Sequence, residues 1–113
     1  MKEIKAYIKP HKLSAVTLAL HKVRGLTGMS VSDVRGFGRT KAKNAEHRIV
    51  DGPVDYVAHV RIEIFCKDEL VEEIISVIQQ TAHTGLRGDG KIYVSDVRTA
   101  VRISTGERSE AAV

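Results

Sequence analysis

The chain has 113 residues, which is the length of one domain, and its 42% hydrophobic content is enough for a core. Its net charge is +4, from 18 basic and 14 acidic residues, and it has neither a basic run nor interleaved aromatic residues, which argues against nucleic-acid binding. No apolar stretch approaches the about 20 residues that span a bilayer. Together with a charged start and a single cysteine, Cys66, this predicts a cytoplasmic protein that is not inserted in a membrane.

The first third of the chain predicts a strand, a helix and a second strand. Residues 2–9 alternate between apolar and polar side chains until Pro10, as in a half-buried strand. From Lys12 the apolar residues recur every three or four positions, which predicts an amphipathic helix ending near Gly25. Residues 29–35 predict the second strand.

The middle of the chain predicts a long connection and the clearest strand. Residues 40–55 contain few apolar side chains, and connections of this length are usually functional or disordered. Residues 56–65 alternate as a strand, and Asp68 is expected to cap the helix that follows. The buried stripe of that helix is expected to comprise Leu70, Val71, Ile74, Ile75, Ile78 and Ala82.

Residues 84–91, Thr-Gly-Leu-Arg-Gly-Asp-Gly-Lys, form a glycine loop between this helix and a strand at residues 92–94. Three glycines allow backbone N–H groups to approach an anion, and a lysine adds positive charge. The letters fit part of a P-loop, but a P-loop follows a strand, opens a helix and ends in a hydroxyl, where this chain has Ile92. The loop is therefore interpreted as a phosphate-binding turn, with a plain flexible turn as the alternative.

The order of elements predicts a single α+β domain over residues 1–113. Two βαβ units with right-handed crossovers give a ferredoxin-like βαββαβ sandwich. Both helices cover one sheet face, and the chain supplies no layer for the other face. We therefore expect an oligomer that packs these sheet faces together.

Seven stretches between the first strand and the tail form one recognisable pattern: Ile8 to Leu13, Gly28 to Val31, Val34 to Arg39, Asp68 to Val71, Thr81 to Gly85, Gly88 to Ile92 and Arg102 to Glu107. In these stretches the sequence resembles the PII signal-transduction proteins. Gly-Phe-Gly-Arg and Gly-Asp-Gly-Lys-Ile are specific in combination. The resemblance implies a homotrimer that binds an adenine nucleotide in each cleft between subunits and is not an enzyme.

The resemblance also implies three functional loops. A T-loop at about residues 39–55 would contact a target transporter or enzyme, the glycine loop would be the family's B-loop, and residues 102–113 would be its C-terminal loop. No metal ligand is expected. The nucleotide-binding residues implied by the match are Ser30, Gly36, Phe37, Gly38, Arg39, Thr40, Glu63, Ile64, Phe65, Gly88, Asp89, Gly90, Lys91, Arg102 and Ser104.

Three positions depart from the family pattern. Thr40 replaces the glutamine that coordinates magnesium beside 2-oxoglutarate, His59 replaces the lysine that pairs with this acid, and Ser104 replaces a phosphate-binding arginine. Each lost charge-assisted bond costs about 1.5–3 kcal/mol. We therefore expect weak 2-oxoglutarate sensing and a preference for ADP or AMP, with ATP still possible.

Other interpretations remain open from the sequence. A small anion such as bicarbonate is a second effector candidate, beside Arg39, Thr40 and His59. A slow ATPase would need an acid–base pair, for which Asp89 and His59 are the available side chains. A plain interaction domain with an empty cleft is the third possibility.

Overall fold

The computed structural model describes residues 1–37, 48–51 and 54–113, with side chains described outside 48–51 and 54–55. Most of the predicted T-loop, including Arg39 and Thr40, lies outside the described residues, as does Gly38 just before it. The described strands and helices, in chain order, are β1 (Lys2–Ile8), α1 (Leu13–Leu20), β2 (Ser30–Gly36), β3 (Arg48–Asp51), β4 (Val54–Cys66), α2 (Val71–Ala82) and β5 (Lys91–Asp96).

The sheet is antiparallel, with strand order β2-β4-β1-β5. Lys2 pairs with Cys66 on one side and with Asp96 on the other, so β1 lies between the two strands that follow it much later in the chain. Ser30 pairs with Glu63, which fixes the register of β2 on the outer side of β4. The predicted α+β ferredoxin-like sandwich is therefore confirmed.

The predicted apolar faces form the core. Alternate residues of β1 and β4 are almost fully buried, as the period-two pattern predicts. Val16 and Leu20 from α1 and Ile74 and Ile78 from α2 pack over them with exposures of 0–1%. The predicted stripe of α2 is confirmed, because its members are either core residues or partly buried against the core.

The structure corrects two local predictions. The connection at residues 40–55 is shorter than expected, because β3 pairs with the first residues of β4 and β4 begins at Val54. Asp68 does not cap α2. Its carboxylate instead accepts a hydrogen bond of 2.7 Å from the ammonium group of Met1, and the helix is preceded by a 3₁₀ turn at Asp68–Leu70 without a side-chain cap.

The sheet face opposite the helices, here called the open face, carries both ion pairs and aromatic rings. Arg61 Nε lies 3.1 Å from Glu63, and Lys5 lies 3.9 Å from Glu3. The aromatic residues Phe65 and Tyr93 on this face are about half exposed, and no described helix covers them. The open face therefore has the composition of a partly apolar contact surface.

Candidate functional site

The glycine loop is held by a carboxylate at its centre. The side chain of Thr84 donates its hydroxyl hydrogen to Asp89 Oδ1, and the backbone N–H of Thr84 donates to Asp89 Oδ2 at 2.9 Å. The same Thr84 hydroxyl oxygen accepts a hydrogen bond of 3.1 Å from the backbone N–H of Leu86. The two ends of the loop are thus tied together within the loop itself.

Lys9, just beyond the end of β1, joins this network from outside. Its Nζ donates to the Thr84 hydroxyl at 3.1 Å and lies 3.2 Å from Asp89 Oδ1. Burial of the Asp89 carboxyl opposes its ionisation, but the hydrogen bonds from Thr84 and Lys9 outweigh burial and lower the pKa of Asp89 to about 2. Asp89 is therefore an ionised structural group at neutral pH. It shapes the turn, which leaves it unsuited to act as a general acid.

Glycine is required at the end of the loop. Gly90 has a φ of +100°, and a Cβ atom placed on it would lie 1.7 Å from the carbonyl oxygen of Tyr7. Gly85 and Gly88 also have positive φ values, of +81° and +85°. The loop follows a path that L side chains rarely adopt, and it places the backbone of Gly90 directly against β1.

The His59 side chain contacts the loop from β4. Its Nε2 atom lies 3.2 Å from the carbonyl oxygen of Gly88. A carbonyl oxygen can only accept, so His59 donates from Nε2. The residue proposed from sequence as an anion ligand therefore has a partner in the glycine loop.

Lys91 opens β5 opposite Tyr7, and its side chain is exposed on the open face. Within the described part of the chain it makes no ion pair. Tyr7 and Tyr93 form an edge-to-face pair beside it, with ring centroids 6.1 Å apart. The lysine ammonium is thus available to an anion beside the loop.

A second group of predicted residues lies toward the other end of the open face. Ser30 and Glu63 are direct cross-strand partners, and Phe65 follows two residues further along β4. The side chain of Ile64 is fully buried in the core, so only its backbone could contact a ligand. Phe65 is about 13 Å along the strands and 10 Å across them from Lys91, given standard strand spacings.

The remaining predicted residues fall into two places. Gly36 ends β2, and the exposed ring of Phe37 packs edge-on against Tyr56 with centroids 6.0 Å apart. In the C-terminal loop, Arg102 lies 3.3 Å from Glu107 and donates to the carbonyl of Ala111 at 3.2 Å, while Ser104 is exposed. Arg102 is therefore presented by a structured tail.

Sequence reasoning missed Lys9 as part of the site. Lys9 is 75 residues from Thr84, and its contact depends on β1 pairing with β5. The only local signal is that a lysine precedes the proline that ends the strand. In residues 1–37, 48–51 and 54–113 no group of three or more His, Cys, Asp or Glu side chains could hold a metal ion. No helix in these ranges is long and apolar enough to cross a membrane.

Comparison with known proteins assigns the class. The family model for the nitrogen regulatory protein P-II matches residues 1–107. Over all 113 residues of both chains, the sequence is 48% identical to the nitrogen regulatory protein P-II of Azospirillum brasilense and 47% identical to nitrogen regulatory protein P-II 1 of Escherichia coli. The nitrogen regulatory protein P-II of Pasteurella multocida is 48% identical over the same length.

The chain belongs to the nitrogen regulatory P-II family. This is a family of signalling proteins rather than enzymes, so the chain is a regulatory protein. The resemblance found from its glycine loop and Gly-Phe-Gly-Arg motif is confirmed.

Proposed function

We propose that the protein binds adenine nucleotides in clefts between the subunits of a homotrimer and regulates a transporter or enzyme in the cytoplasm through its T-loop. The observation that carries this proposal is the glycine loop. Its central carboxylate is paired with the Lys9 ammonium and accepts hydrogen bonds from Thr84, so Asp89 repels an incoming anion less than a solvated carboxylate would. Lys91 adds an exposed cation at the end of the loop.

The residues present fit a nucleoside diphosphate. Backbone N–H groups in a turn with positive φ values can donate hydrogen bonds to an anion, and here Gly88 and Gly90 already have such φ values. Lys91 can pair with a phosphate, and Glu63 and Ser30 offer polar groups to a ribose or base. The bound nucleotide would supply the signal. The chain's residues would orient it and respond to its phosphates.

The placement of the two residue groups favours a site between copies. The group formed by Ser30, Glu63 and Phe65 lies on the same open face as the loop but well away from it. In an oligomer, this group of one copy could lie close to the glycine loop of another copy. The half-exposed aromatic rings on this face would be covered by the same association. Light scattering should then give three times the 12.4-kDa chain mass.

Calorimetric titration with ADP, AMP and ATP tests the proposal. Lys91→Ala should weaken ADP binding at least about tenfold, because it removes a charge-assisted contact of about 1.5–3 kcal/mol. The matched control is Lys22→Ala, which removes an exposed lysine after the far end of α1. Absence of any nucleotide heat for the unmodified protein would reject the proposal.

The effector preference follows from Thr40, His59 and Ser104. We propose that ADP or AMP is favoured and that 2-oxoglutarate with MgATP acts weakly, because none of these side chains supplies the permanent charge or long amide of the family residues. The titrations are therefore repeated with 2-oxoglutarate and with bicarbonate. Micromolar, magnesium-dependent binding of 2-oxoglutarate would contradict this preference, and a bicarbonate effect on nucleotide affinity would identify the second effector candidate.

A further inference from the structure

The glycine loop has two external anchors on consecutive residues. Lys9 holds the side chain of Asp89, and His59 holds the carbonyl of Gly88. A contact to the Asp89 carboxylate fixes where the loop lies, but it leaves the preceding peptide group able to rotate. Gly88 permits such rotation because it has no Cβ atom.

His59 is built into a rigid part of the fold. It pairs with Val34 of β2, and the next residue, Val60, is a core residue that pairs with Ile8 of β1. The imidazole therefore projects from a strand with neighbours on both edges toward a loop without regular secondary structure. A donor fixed in this way can select one orientation of the Gly88 peptide.

We propose that His59 is a positioning residue for the glycine loop, holding the Gly88 carbonyl through Nε2–H so that the loop keeps its phosphate-binding conformation. This inference rests on the proposed nucleotide function. It gives His59 a role within the loop, in addition to or instead of contact with an effector anion. His59 lies two residues after the segment of β4 that pairs with β3, residues 54–57.

The contact specifies a proton position. In the neutral ring, donation from Nε2 requires the tautomer with hydrogen on Nε2 and leaves Nδ1 as an acceptor. The doubly protonated ring would also donate from Nε2, so a change of charge alone would not break the contact. The neutral tautomer with hydrogen on Nδ1 is the state that cannot make it.

Two substitutions distinguish the effect of the hydrogen bond from the effect of the aromatic ring. His59→Phe keeps an aromatic ring and removes the donor, whereas His59→Gln keeps an N–H donor on a flexible side chain. His21→Phe is the matched control, because His21 is exposed on the turn after α1. Amide hydrogen exchange at residues 86–91 is measured without nucleotide, and ADP affinity is measured by calorimetry.

His59→Phe should raise loop exchange and weaken ADP binding, each about two- to tenfold, as expected for loss of one neutral hydrogen bond. His59→Gln should recover part of both effects, and His21→Phe should change neither. Nitrogen-15 NMR of His59 in the unmodified protein should show hydrogen on Nε2.

Unchanged loop exchange in His59→Phe, equal effects in His21→Phe, or an Nδ1-protonated neutral ring would each overturn the positioning role. These readouts do not require nucleotide. If the unmodified protein bound no nucleotide, the proposed function would fail while loop exchange would still show whether His59 holds the loop.

Discussion

Gly90 is the position where one added methyl group should disturb both the loop and the sheet. In Gly90→Ala the new Cβ atom would lie 1.7 Å from the Tyr7 carbonyl oxygen, whereas real Cβ contacts almost never fall below 3.0 Å. The two backbones must therefore separate by more than about 1 Å. Because Tyr7 pairs with Lys91, this separation weakens the start of the β1–β5 ladder.

The expected loss of folding free energy combines two costs. Holding alanine in a left-handed conformation costs about 1–2 kcal/mol. Weakening one or two ladder hydrogen bonds costs about 0.5–1.5 kcal/mol each. We therefore expect Gly90→Ala to destabilise the protein by about 2–4 kcal/mol, and to weaken nucleotide binding because the loop is displaced.

Two other glycines provide a graded control. Gly85 has a φ of +81° but nothing closer than 4.0 Å to an added Cβ, so Gly85→Ala isolates the backbone cost of about 1–2 kcal/mol. Gly28 has no atom within 4 Å, and Gly28→Ala should be neutral or stabilising by up to about 1 kcal/mol. Urea unfolding of the three variants at one protein concentration measures the series, since oligomers change stability with concentration.

The relative stabilities of the three variants test the two parts of this prediction separately. If Gly90→Ala destabilises no more than Gly85→Ala, within about 0.5 kcal/mol, the contact with Tyr7 contributes nothing and only the φ value matters. If Gly85→Ala is as neutral as Gly28→Ala, the argument from backbone conformation is wrong.

Three further predictions concern ionisable groups. Because folding lowers the pKa of Asp89 to about 2, its paired carboxylate contributes stability above about pH 4 that is lost as the pH falls toward 2. Between pH 5 and pH 2 the free energy of unfolding of the unmodified protein should therefore fall by about 1–2 kcal/mol more than that of Asp89→Asn. An equal fall in both proteins would argue against the contacts of Asp89 with Lys9 and Thr84. Burial raises the pKa of the Cys66 thiol, so it should react with a thiol reagent at pH 8 only after denaturation, and rapid reaction of the folded protein would show that the core opens. The melting temperature should fall slightly when the Met1 ammonium is acetylated, and also in Asp68→Asn, because each change removes the same ion pair. Both changes together should lower it no further, whereas additive effects would mean that the two groups do not interact.

The regular elements were predictable because their burial follows simple periods. Ile4, Ala6 and Ile8 repeat every second residue, and Ile74, Ile78 and Ala82 every fourth, so each pattern identified its own core face. β3 was not predictable in this way, because Arg48–Asp51 has only four residues and its two apolar residues are adjacent rather than alternating. It is specified by its pairing with β4.

The glycine loop could be located from the sequence, but the contacts that hold it could not. The prediction of an anion-binding turn needed only the three glycines and Lys91, which are close together in the sequence. The loop's anchors are Lys9, just after β1, and His59 in β4, and no local pattern indicates which side chains adjacent strands bring together. Asp68 shows the same limit. Its position before a helix predicted a cap, but the Met1 ammonium, 67 residues away, binds its carboxylate.

The central position of β1 has a consequence for synthesis on the ribosome. β1 precedes every other strand in the chain, yet its partners are β4 and β5, so it leaves the exit tunnel long before either neighbour exists. During that interval its apolar face and its backbone N–H and C=O groups have no strand to pair with. The sheet can close only after β5 emerges, so the apolar face of β1 must stay exposed, or be covered by other contacts, for most of synthesis.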